Sequence, residues 1–148
     1  MKREFQAQLS AINAANSKIN GLYSRWAQKR NISGYTVCIF YSLLTEDSLT
    51  QKQVREEFEI PKQSVNNIIT ALKHDGHIIL QSSTEDKREK LICLTDQGRS
   101  YAQELLAPLF AVEDAVMKKM GHLMVQQMID TTVTYCSYLE QEMENADL

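Results

Sequence analysis

A chain of 148 residues, 43% hydrophobic and 24% charged with a formal net charge of −3, has room for one globular domain with a helical extension and the make-up of a soluble protein. No apolar run approaches the roughly 18 residues that cross a bilayer, which excludes a membrane-spanning helix, and Met1 to Phe5 opens an amphipathic segment rather than a signal-peptide core, so the cytoplasm is the expected compartment. Three widely spaced cysteines, Cys38, Cys93 and Cys136, exclude a disulfide framework, and only 5 Gly and 2 Pro point to long helices.

Residues 5–30 read as one long helix, because Phe5, Leu9, Ile12, Asn16, Ile19, Tyr23 and Trp26 recur at alternating steps of four and three with one polar break. Gly34 to Leu44 is nearly all apolar and suits a buried helix; Thr45 to Ser48 is a polar loop. Thr50 and Gln53 form a capping box for a short helix through Phe58. Pro61 sits where first-turn prolines belong and opens a second helix, Lys62 to about His74, with Val65, Ile68, Ile69 and Leu72 facing inward. Asp75-Gly76 ends it. Two strands follow, near Ile78–Gln81 and Lys90–Leu94, joined by a polar tip from Ser82 to Glu89. Thr95 is placed to cap the next helix, with Asp96 suited to its dipole. Tyr101, Leu105, Leu109, Val112, Val116 and Met120 form one stripe with a kink expected at Pro108. After the break at Gly121, Met124, Met128, Thr132, Tyr135, Leu139 and Met143 form another.

Two short helices, a turn and a two-stranded ribbon with a basic tip compose a DNA-reading module: one helix enters the major groove and the tip reaches the neighbouring backbone or minor groove. The charge is unevenly spread. Residues 1–48 hold 6 basic and 3 acidic groups, residues 49–100 hold 8 of each, and residues 101–148 hold 2 and 8. DNA affinity therefore depends on where the cations of the neutral middle third sit. On the recognition helix the polar positions are Lys62, Gln63, Ser64, Asn66, Asn67 and Thr70; Asn and Gln can pair bidentately with adenine. In the tip, Arg88 can enter a narrow A·T minor groove. Lys87 and Lys90 suit phosphates, and Asp86 reads as the residue that orients Arg88. The stripes on the first and last helices need a partner surface, which a symmetric homodimer supplies.

This layout resembles the MarR family of bacterial transcription regulators over nearly the whole chain. The family's wing pattern, Asp-x-Arg-x-x-x-Leu-x-Leu-Thr-x-x-Gly, is matched by Asp86, Arg88, Leu94, Thr95 and Gly98, with Ile92 in place of the first leucine. Ile60 to Val65 and Leu72 to Gly76 are similar to family members too. Glu59 departs from the pattern, standing at the turn position where such motifs often carry Gly. The resemblance implies a mostly α fold with a small β-ribbon wing: a winged helix-turn-helix lobe over 34–98, with dimerisation helices over 1–30 and 99–148. It also implies a homodimer on a pseudo-palindromic double-stranded operator, most simply as a repressor.

Tyr23, Trp26, Arg30, Tyr35, Phe40 and Tyr41 gather near the end of the first helix and through the second. They are core and dimer packing, or part of a pocket for a small aromatic or phenolic anion with Arg30 as counter-charge; family members that release DNA on binding such compounds make the pocket worth stating. His74 and His77 have ligand-like spacing, but Gly76 breaks the helix between them and no Cys or carboxylate cluster adjoins, so no metal and no cofactor is expected. Peroxide sensing in the family relies on a cysteine near the N-terminus, and none precedes Cys38. No Gly-rich phosphate loop, paired carboxylates or nucleophile-base pair points to an enzyme. The rival reading is a winged-helix module that binds protein instead of DNA.

Overall fold

The structure, a computed structural model, describes residues 2–82 and 90–146. The elements run α1 (Arg3–Gln28), α2 (Gly34–Thr45), β1 (Leu49–Thr50), α3 (Gln51–Glu57), α4 (Lys62–His74), β2 (Ile78–Ser82), β3 (Lys90–Leu94) and α5 (Asp96–Asn145). They form two compact units, residues 1–106 and 107–148. The fold is mostly helical with a small antiparallel sheet, as the sequence predicts. Among the described residues no helix is long and apolar enough to cross a membrane.

In the first unit α2 is the central element. Ser33 caps it by accepting the Thr36 N–H at 3.0 Å. Ile39, Phe40 and Leu43 are fully buried, together with Leu49, Val54, Ile60, Ile78, Ile92 and Leu106 from the elements that follow. Phe40 meets the rings of His77 (6.0 Å between centroids, edge-on) and Tyr101 (5.6 Å), and His77 stacks on Tyr101 at 4.4 Å. These aromatic contacts tie α2, the end of α4 and the start of α5 into one core.

The sheet has three strands, order β1-β3-β2, where the sequence predicts a two-stranded ribbon. The additional strand is Leu49–Thr50, paired with Ile92 and Leu91. Two residues are too few to show an alternating pattern, and only pairing with a distant segment makes them a strand. Thr50 then turns directly into α3 through the expected capping box: its hydroxyl accepts the Gln53 N–H at 3.1 Å, and Gln53 Oε1 accepts the Thr50 N–H at 2.7 Å. β2 and β3 pair from Ile78↔Leu94 to Ser82↔Lys90.

Helix α4 starts one residue later than its proline: Pro61 is the N-cap, with extended backbone, and its carbonyl takes the Val65 N–H at 3.1 Å. The helix ends in a Schellman motif. Gly76, at φ 76, lets the Gly76 and His77 N–H groups return to the carbonyls of Lys73 (3.2 Å) and Leu72 (2.9 Å). Glu59 is left-handed, at φ 50. An L side chain pays about 1 kcal/mol there, so Glu59→Gly is expected to raise stability by up to about that amount, less the entropy glycine adds to the unfolded chain. A chemical-denaturation midpoint that falls would contradict this.

In the second unit the helical run breaks at Gly121, which has φ 74 and ψ 155; Pro108, where a kink is expected, lies inside the helix without non-helical backbone angles. Leu123, Val133 and Tyr138 are more than 60% exposed, and Val112, Val116, Met124, Met128, Leu139 and Met143 are exposed as well. The same holds for Phe5, Ile12, Ile19 and Tyr23 on α1.

Candidate nucleic-acid interface

Three local devices set the orientation of α4. The capping box fixes the start of α3, with Val54 buried beneath it. The left-handed Glu59 turns the chain, and Ile60, fully buried, returns its N–H to the Arg55 carbonyl at 3.1 Å. Val65, Ile69 and Leu72 then anchor the inner face of α4. At 100° per residue, that burial turns Gln63, Asn67 and Thr70 outward. Lys62, Gln63, Asn67 and Thr70 are exposed; Ser64 and Asn66 are half-buried.

The six polar residues are not equivalent. Gln63 Nε2 donates to Asn67 Oδ1 at 2.9 Å. Thr70 turns its hydroxyl onto the Asn66 carbonyl at 2.8 Å, which commits its proton to the helix backbone. Lys62 and Asn66 lean toward α3, where with Gln51, Lys52, Arg55 and Val65 they line a cleft of about 120 Å³. A second, more open cleft of about 350 Å³ lies beside it, between Arg55, Glu56, Glu59, Ile60, Pro61 and Lys62. Lys52 and Arg55 are not among the residues singled out from the sequence. Their spacing of three on a capped helix is the signal that would have found them. The Lys52–Glu56 pair, 4.0 Å apart with both side chains more than half exposed, contributes little.

At the wing, Lys90 Nζ donates to Ser82 Oγ at 2.8 Å across the last described pair of the ribbon. Asp86, Lys87 and Arg88 lie outside the described residues. The root of the ribbon is held from the other end. The Thr95 hydroxyl accepts the Gly98 N–H at 2.9 Å, capping α5 as expected, and donates to the Gly76 carbonyl at 2.7 Å. The Thr95 N–H reaches the His77 carbonyl at 3.1 Å. One threonine thereby joins the end of α4, the root of the wing and the start of α5.

Residues 31–89, which span α2, the helix-turn-helix and the first wing strand, match the model of the MarR family. The lobe is a MarR-family winged helix. Solved structures agree. A MarR family regulator from Neisseria meningitidis, NMB1585, is 25% identical with a TM-score of 0.83, over 93% of this chain and 97% of that one. Two Staphylococcus aureus proteins share the fold: MepR in complex with DNA (17% identity, TM-score 0.65, 88% and 96% covered) and MarR in complex with salicylate and kanamycin (20%, 0.69, 95% of each). No curated protein matches the chain.

Among the described residues, the six residues considered for an effector pocket have unlike surroundings. Arg30 lies over the Trp26 ring, 4.0 Å from its centroid, and donates to the Trp26 carbonyl at 3.2 Å. Phe40 is in the core with His77 and Tyr101, while Tyr23, Tyr35 and Tyr41 are 40–45% exposed. Neither cleft described above includes any of the six. Burial pushes the Cys38 thiol up, with the Glu57 carboxylate adding to the effect, and burial likewise raises Cys93 ahead of a contribution from Asp47. Both are held as thiols, which disfavours reaction. Among the described residues no three His, Cys, Asp or Glu side chains are placed to hold a metal.

Proposed function

We propose that this chain is a DNA-binding transcription regulator that acts as a homodimer, represses by occluding a promoter, and is released by a small aromatic or phenolic effector. The observation that carries the reading is the outward polar face of α4, presented by an anchored helix-turn-helix beside a ribbon root. DNA in the MepR complex and salicylate in the Staphylococcus aureus MarR complex support the partner classes. In this reading the lobe is residues 34–98, and residues 1–30 and 99–148 carry the dimerisation helices. Each α4 enters a major groove, and each Arg88 inserts into the flanking minor groove, oriented by Asp86. Lys62, Lys87 and Lys90 meet phosphates, while Gln63, Asn66 and Asn67 carry sequence preference, with Ser64 and Thr70 at the margins. Two half-sites about 34 Å apart must be met together, so an effector that shifts the recognition helices by a few ångström loses one of them. Tyr23, Trp26, Arg30, Tyr35 and Tyr41 remain the candidates for effector contact.

Selection of binding sites from random duplexes, followed by gel-shift titration across salt concentrations, tests the reading. A palindromic consensus is expected, and Arg88→Ala should weaken it by about 1–3 kcal/mol per subunit with melting unchanged. Binding to a protein partner with no affinity for any duplex would replace this reading with the interaction-module alternative.

The cleft between α3 and α4 extends the proposed footprint to Lys52 and Arg55. The first helix of such a motif crosses the DNA backbone, and Lys52 and Arg55 line the cleft there together with Lys62. Arg55→Ala is expected to lower the salt slope by about one per lost phosphate contact and weaken all sequences alike. An unchanged slope would take α3 out of the footprint.

A further inference from the structure

We infer that Gln63 is the adenine-reading residue of α4 and that Asn67 acts through it as a positioning residue, the two forming one hydrogen-bonded unit. The inference rests on the DNA reading proposed above and deepens it. A glutamine reads adenine with two points at once: its oxygen accepts from the N6 amino group while its nitrogen donates to N7. Only one of the two Nε2 hydrogens can do this, the one on the same edge of the amide as Oε1. The other points away and, left alone, allows the long side chain to sample many rotamers. Asn67, one helical turn further on, accepts a hydrogen from Gln63 Nε2 at 2.9 Å. If that is the outer hydrogen, Oε1 and the inner N–H remain together on the exposed edge. The bond also pre-organises the side chain, so less rotamer freedom is lost on binding.

The roles are not interchangeable. Gln63 is in the first turn of α4, whose N-terminal residues meet the base edges. Its oxygen accepts no bond among the described residues, whereas the Asn67 oxygen is already engaged. A two-point contact by Asn67 would have to share that oxygen. Asn67 keeps both of its own N–H groups, which suit acceptors on the neighbouring base step or a phosphate. The other amide on the helix, Asn66, is half-buried and lines the cleft toward α3, away from this pair.

The test uses the full-length chain, the site it selects from random duplexes, and copies of that site with single A·T pairs changed to G·C. In the wild type, one A·T pair in each half-site should be preferred by roughly tenfold to a hundredfold. Gln63→Ala should abolish that preference. Asn67→Ala should erode the preference at the same pair, and the double variant should be no worse than Gln63→Ala alone. Asn67→Asp keeps the acceptor: it should retain the preference while weakening every sequence alike, since its added charge repels phosphate. If Asn67→Ala instead alters preference at a different base pair, with effects that add to those of Gln63→Ala, the two residues read independently and the inference fails. A Gln63→Ala or Asn67→Ala variant that leaves the preference intact also overturns it. A wild-type protein that binds no duplex would overturn the DNA reading itself, and so is distinguishable from both. Both side chains are exposed, so melting curves should coincide.

Discussion

Gly98→Ala is expected to cost on the order of 3 kcal/mol or more, at the upper end of what overpacking does, and to lower the melting temperature by about 10 °C in a chain of this size. A Cβ built on Gly98 would lie 1.8 Å from the His77 carbonyl oxygen, 2.6 Å from its carbon and 2.8 Å from its Cα. All three are backbone atoms, so no rotamer change relieves the clash. His77 cannot retreat cheaply. Its N–H closes the Schellman motif on Leu72, its carbonyl takes the Thr95 N–H, and its ring stacks on Tyr101. Moving it would loosen the end of α4 and the root of the wing together. Circular dichroism melting of the variant checks this; a melting temperature within 2 °C of the parent would mean that the backbone approach is not rigid. Because the strained residues hold α4, whatever folded protein remains should also bind DNA more weakly.

The second large effect concerns assembly. The exposed apolar faces of α1 and of the unit after residue 107 are the surfaces that the proposed homodimer buries. Light scattering should give about twice the 17.0 kDa chain mass. Met124→Asp combined with Met128→Asp places two carboxylates on one stripe, 57% and 51% exposed in the single chain. Burying unpaired charge is costly, so the variant should become monomeric. With one half-site engaged at a time, affinity for a palindromic site should fall by about a hundredfold or more through lost avidity. A variant that stays dimeric would move the interface off this stripe, and a wild-type monomer at micromolar concentration would remove the dimer from the proposal.

The sequence by itself determined whatever depends on neighbours three or four positions apart. Thr50 with Gln53, Thr95 ahead of Gly98, and Asp75-Gly76 name helix ends whose hydrogen bonds close within one turn, and each forms as the residues predict. The inward face of α4 was legible for the same reason, and with it the outward residues on which the proposed DNA contacts rest. The motif glycine at 98 was visible too, but not why it must be glycine: that reason is a carbonyl of His77, brought against it by tertiary packing. Tertiary structure alone decided that Leu49–Thr50 is a strand, since its partners Ile92 and Leu91 arrive from the far side of the helix-turn-helix. It also brought Phe40 into contact with His77 and Tyr101, and it placed Arg55 beside Lys62 at the α3–α4 cleft. Local periodicity records which face of an element is apolar. It does not record which other element that face will meet, because that depends on the fit of side chains far apart in the chain.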